Sequence, residues 1–111
     1  MVIKAAMVVT TADEVQGYRI AEYKGVVRGV VVRATGVAAG ITGGLKSLLG
    51  GNISEYEKLC EKARQDAFHR MIEHAKQYGA DAVIAMRYDA TEFMQGSTEV
   101  LAYGTAVKLD K

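Results

Sequence analysis

Along this 111-residue chain the spacing of apolar and polar positions changes from strand-like to helix-like and back again. Residues 2–34 are rich in Val, Ile, Thr and Tyr, with a turn signal at Ala12-Asp13-Glu14 and Gly17. This predicts a short strand near Val2–Thr11 and a long one near Tyr18–Ala34. Gly25 and Gly29 fall inside the long strand and predict a bulge or sharp bend there. Residues 54–79 follow the helical period. Ser54 followed by Glu57 forms a capping box at the start, and Gly79 can take the left-handed conformation that closes the end. Apolar side chains from Tyr56, Leu59, Cys60, Ala63, Ala67, Phe68, Met71, Ile72, Ala75 and Tyr78 cover an arc of roughly 220°. Lys58, Lys62, Gln65, His69, Glu73 and Lys76 occupy the opposite side. Residues 82–109 predict two further strands around the break Gln95-Gly96-Ser97. In the first of them Ile84, Met86, Tyr88 and Ala90 form an apolar parity against Arg87, Asp89 and Thr91. The last is apolar on both parities, which places it centrally or under a neighbour. The order is β-β-α-β-β. The fold class is α+β: a single domain over 1–111, with an antiparallel sheet packed against one long helix.

A helix lying on one sheet needs an apolar stripe little more than about 100° wide, so the surplus must be covered. A second copy of the chain is the economical cover, because symmetric homo-oligomers are the common solution. The alternative cover lies within the chain. Gly36, Gly40 and Gly44 alternate with Val37, Ile41, Leu45, Leu48 and Leu49, which predicts a short glycine-rich helix with one flat and one apolar stripe. The expected oligomer interface comprises Gly36, Gly40, Gly44 and Leu45, the pair Glu61 and Arg64, and Leu101 and Tyr103 of the last strand. Glu61 and Arg64 stand at i, i+3 and can pair at a rim or across copies. Gly40 to Ser47 comes within one residue of a phosphate-binding loop, but Leu45 stands where the second glycine is required.

Charge narrows the choice of partners. Fourteen basic against thirteen acidic residues leave +1, too little field to recruit nucleic acid or an anionic membrane. Tyr18, Arg19, Tyr23, Lys24, Arg28 and Arg33 interleave aromatic and basic residues, yet strict alternation places Tyr18, Lys24 and Arg28 on one face and Arg19, Tyr23 and Arg33 on the other. Neither a nucleic-acid nor a membrane partner is expected. The single cysteine, Cys60, rules out an intrachain disulfide, lies on the apolar arc as core, and suits a reducing compartment. The apolar stretches near the start are too short for a signal-peptide core, and the expected location is the cytoplasm.

Candidate metal donors are Cys60, His69 and His74. Cys60 and His74 stand about 21 Å apart along a helix and cannot share an ion within one chain. His69 and Glu73 have i, i+4 spacing, in the middle of the charged face. His74 sits at the centre of the apolar arc, either packed and hydrogen-bonded or one of a ring of symmetry-related histidines that bind metal only between copies. No cofactor fingerprint and no nucleophile with an adjacent base is present. An enzyme would have to assemble its site at an interface from Glu22, His74, Asp89 or Glu92. The expected function is therefore a homo-oligomeric module that binds a small molecule or serves assembly, with intersubunit metal binding and an interface enzyme as alternatives.

The runs VVTTADEVQGYRIAEYKGVVRG, GGNISEYEKLCEKARQDAFHRMIEHAKQYGADAVIAMRYD and STEVLAYGTAVKL together resemble the YbjQ-like family. The similarity begins at Met7 and extends nearly to the end. Members carry a heavy-metal-binding label that stands for no established activity. The resemblance implies a β-β-α-β-β subunit assembled into a ring, a pentamer; with no fingerprint among the residues, no cofactor is expected. The segment RATGVAAGITGGLKSLLGG departs from the polar, aromatic-containing helix that similar proteins place there.

Overall fold

In the computed structural model, residues 7–34, 53–94 and 96–110 are described. They form β1 (Val8–Val9), β2 (Arg19–Ala34), the helix α1 (Ile53–Gln77), β3 (Ala82–Met94) and β4 (Ser97–Asp110). The strands make one sheet in the order β1-β3-β4-β2. β4 pairs antiparallel with β2 on one side and β3 on the other. The expected all-antiparallel sheet is corrected at its far edge, where β1 runs parallel to β3. The reason is positional: β1 and β2 lie at opposite edges, so they never pair as a hairpin. The loop between them crosses one face of the sheet. Gly36, Gly40, Gly44 and Leu45, with the short helix expected over them, lie outside the described residues, as do the side chains of 53–56 and with them the Ser54 cap.

One turn of sequence logic seats the helix. Ala63, Ala67, Met71 and Ala75 recur every four residues and are buried against Val27, Val31, Val83, Val100, Ala102 and Ala106. Phe68 and Ile72 flank this stripe, partly buried. A single sheet buries no more of a helix than this. The rest of the arc is left open: Leu59 is 53% exposed, Tyr78 is exposed, and Cys60, expected in the core, is exposed. Close seating depends on Gly29, where an added Cβ would lie 2.0 Å from the Ala67 carbonyl oxygen. The helix ends as its sequence requires. Gly79, with φ of 72°, donates its N–H to the Lys76 carbonyl, and Ala80 donates to that of Ala75. These are the two bonds of a Schellman cap.

Bulges decide which side chains share a face. β2 carries one extra residue between Ile20 and Glu22 and another between Tyr23 and Gly25. β3 carries one between Ile84 and Arg87, where Ala85 has φ of 53° and Gly104 opposite has no room for a side chain. Two expectations from strict alternation are thereby corrected. Ile84 faces away from the helix while Met86 faces it, and Tyr23 shares a face with Arg28.

The corner after the helix is held by Asp81. Its carboxylate accepts the Leu109 N–H at 2.8 Å and the Lys108 ammonium at 3.3 Å, tying the start of β3 to the end of β4. The Leu109 bond, aided by Lys108 and opposed by partial burial, holds this carboxyl below the usual carboxylate range. With the folded value below that of the unfolded chain, the stabilisation is complete above about pH 4 and fades as pH falls through the folded value. Asp81→Ala is expected to cost about 1 kcal/mol at neutral pH. In urea melts the gap to wild type should close in acid; a gap that persists unchanged there would show that the charge is not responsible.

Candidate functional site

The sheet has a second face, and only half of it is covered. At one end Ala82, Ile84 and Val107 are buried beneath Val8, Val15, Ile20 and Leu109, so the loop after β1 roofs a small core of its own. That loop is pinned down by backbone bonds from Thr10, Ala85 and Met86, and by Arg87, whose Nη1 donates to the carbonyls of Thr11 and Met86 at 3.1 and 2.9 Å. Beyond the roof the face stays open among the described residues. Val26 is 63% and Val32 54% exposed, with Tyr103 also exposed and Val30 and Leu101 half-buried between them.

Register orders this open half into rows across β2, β4 and β3. Arg28 pairs with Tyr103, which pairs with Arg87 on its other side. The next row is Val30, Leu101 and Asp89, and the one after it Val32, Glu99 and Thr91. Directly opposed side chains on such a face have Cβ atoms about 4.5–5.5 Å apart, so each row is contiguous. The open half is thus an apolar strip crossed by one basic-aromatic-basic row and edged by two carboxylates.

On the helix side, β2 is an edge strand, and its outward polar groups need partners or protection. Two helix side chains supply this. The Arg28 N–H donates to Nδ1 of His74 at 3.1 Å, and Arg70 donates to the Val30 carbonyl at 2.6 Å. His74 is half-buried, with its ring edge-on to Tyr78 at 5.0 Å. An Nδ1 that accepts a hydrogen bond leaves the ring proton on Nε2. Metal-bound histidines show the opposite arrangement, donating from the nitrogen that does not bind the ion. A metal on His74 therefore requires release of the Arg28 bond. Beside it His69, Arg70, Glu73, His74 and Gln77 line an open hollow of about 280 Å³. Glu73 there is paired with Lys76 at 3.5 Å.

The other expected site residues are dispersed. Leu101 and Tyr103 meet on the open face, while Glu61 and Arg64 are exposed on the helix. Arg64 lies over the Tyr88 ring at 5.7 Å. Burial, with the Glu61 charge adding to it and Arg64 opposing, raises the Tyr88 phenol above its ordinary value. Glu22 pairs with Lys24, Asp89 sits on the open face, and Glu92 accepts the Gly96 N–H at the hairpin tip. These acids are not gathered around His74. Arg87 joins Arg28 through Tyr103 by a register 59 positions apart in sequence, which no local pattern encodes.

Three comparisons place this geometry among known proteins. The family model described as "Putative heavy-metal-binding" matches residues 7–110. The chain is 57% identical over 105 residues to a UPF0145 protein of Chromobacterium violaceum, covering 95% of this chain and 90% of that one. It is 52% identical to a UPF0145 protein of Legionella pneumophila, with 91% and 96% covered. A crystal structure of a protein of unknown function of the DUF74 family from Pediococcus pentosaceus shares the fold, with a TM-score of 0.55 at 22% identity over 94% of this chain and 98% of that one. Among the described residues no helix is long and apolar enough to cross a membrane.

Proposed function

The chain belongs to the YbjQ-like family, and from that premise we propose that it works as a homo-oligomeric module whose ligand lies between copies. The observation that carries this is the open half-face, where Val26 and Val32 stand more than half exposed beside Leu101 and Tyr103. Burying a valine side chain favours association by about 1.5–3 kcal/mol. The exposed part of the helix arc, Leu59 and Tyr78, adds apolar surface on the other side. Two separated apolar surfaces suit a ring, in which each copy presents unlike faces to its neighbours. Five copies is the number that the family resemblance implies.

At micromolar concentration, native mass spectrometry or light scattering should give a multiple of 12.0 kDa. The double variant Val26→Lys with Val32→Lys should weaken assembly about hundredfold or more, because the ammonium groups would be buried without partners. A wild type that stays at 12.0 kDa under these conditions sinks the proposal.

A metal reading is favoured by the family description alone. Among the described residues no three His, Cys, Asp or Glu side chains come together. An ion would need donors from two copies, with His74 freed from Arg28. Zinc, copper and nickel content of the same assembled sample decides this: retained metal that His74→Ala removes without breaking the assembly supports it, and metal-free protein after loading ends it.

A further inference from the structure

In the row formed by Arg28, Tyr103 and Arg87, one nitrogen of Arg87 pins the loop after β1, and the charges of both arginines are left to solvent among the described residues. Arginines elsewhere on the sheet are neutralised: Arg19 meets Asp110 at 2.6 Å and Arg33 meets Asp66 at 3.2 Å. Arg28 and Arg87 have no carboxylate within ion-pair distance among the described residues. Arg87 is held in place, but by two carbonyls, which fix the guanidinium and leave its charge uncompensated. Asp89 is the nearest acid along β3, and its Oδ1 accepts the Ala90 N–H beside it. The backbones of Arg28 and Arg87 lie two interstrand steps of about 4.8 Å apart, with Tyr103 on the strand between them.

From this we infer that the Arg28–Tyr103–Arg87 row of the open sheet face is a binding site for a compact phosphate-bearing anion. It rests on the ligand-binding half of the reading above and names the class of ligand. Arg28, the Tyr103 phenol and the Arg87 nitrogens other than Nη1 put several N–H and O–H donors in one row, which suits a tetrahedral group with several accepting oxygens better than a planar carboxylate. The surroundings limit the size. Asp89 stands in the adjacent row and Glu99 in the one beyond, so an extended polyanion following the strands would meet carboxylates. Val30 next to Arg28 offers an apolar contact to the organic part of a phosphate monoester.

Inorganic phosphate and phenyl phosphate are titrated into the intact protein, read by backbone amide shifts and calorimetry, with the assembly mass measured in the same samples. Saturable binding should shift the amides of Arg28, Arg87 and Tyr103. Arg28→Gln and Arg87→Gln should each weaken it about tenfold or more, Tyr103→Phe several-fold, and Arg19→Gln not at all. If neither probe saturates while the protein stays assembled, the ligand class falls and the assembly reading stands. If the arginine variants change the mass and leave phosphate affinity alone, the row is an intersubunit contact and this inference is overturned. If a 12.0 kDa particle binds phosphate through these residues, the site stands and the assembly reading falls. Tighter, strongly salt-dependent binding of a single-stranded RNA oligonucleotide would overturn the compact-anion assignment in favour of a polymer.

Discussion

Gly29→Ala is expected to abolish the native packing of the helix on the sheet. Gly29 sits in the middle of β2, opposite Ala102, and its φ is not in the left-handed region, so alanine carries no backbone strain of its own. The obstacle is space. The new methyl would lie 2.0 Å from the Ala67 carbonyl oxygen and 2.4 Å from the Met71 nitrogen. Both are backbone atoms of a hydrogen-bonded helix and cannot rotate away as a side chain can. The helix must lift as a body, opening gaps above Val27, Val31 and Ala102. Overfilling a tight core typically costs about 1–3 kcal/mol, and contact with rigid backbone belongs above that range. A loss of about 3 kcal/mol or more is a large fraction of the stability of a domain of this size. Gly79→Ala is the control. There φ is 72° but nothing lies within 4 Å, so a cost of about 1 kcal/mol is expected from conformation alone. Urea denaturation should separate the two clearly. If Gly29→Ala melts like Gly79→Ala, the helix is not seated on Gly29.

What could be read along the chain was what neighbouring residues decide among themselves. The helix, its Gly79 closure and the hairpin turn at Gly96 depend on contacts a few positions apart, and they fall where the pattern of residues puts them. Facing is a different matter. A bulge shifts every later side chain to the opposite face, and alternation looks undisturbed on either side of it. Near Lys24 the residue Gly25 hints at a bulge but not at which position is extra, and strict alternation puts Tyr23 on the face away from Arg28. At Ala85 nothing in the sequence hints at a bulge, because alanine seldom adopts positive φ, and alternation groups Ile84 with Met86. The width of the helix arc was legible; where the sheet would cut it was not. Cys60 and Leu59 fell outside the cut because Gly29 and the alanine stripe place the contact on Ala63, Ala67, Met71 and Ala75. His74 was legible as a polar group among apolar ones, and its partner, a backbone N–H 46 residues away, is tertiary information. The Arg28–Tyr103–Arg87 row is the extreme case, since three distant segments, with bulges in β2 and β3, must be in register before it exists.

Met71→Ala is the second large loss expected. Met71 is fully buried and is the bulkiest such side chain among the described residues, on a helix stripe otherwise made of alanines. Truncating a buried methionine costs about 2–5 kcal/mol, and the value within that span depends on how far the surroundings can collapse into the space. Here they can collapse very little. The helix backbone already rests on Gly29 and cannot move closer to β2, and the alanines on either side are too short to reach in. Val27, Val83 and Val107, the other bulky fully buried residues, belong to strands fixed by ladder hydrogen bonds. The cavity should therefore persist, and the cost should fall in the upper half of the span. Met71→Leu, close in volume, should cost less than about 1.5 kcal/mol. Urea melts of the two variants test this directly, read on the smallest species that stays folded so that assembly does not mask the loss. An alanine variant no less stable than the leucine one would mean that the helix can settle further onto the sheet, and that Gly29 is not the limit of its approach.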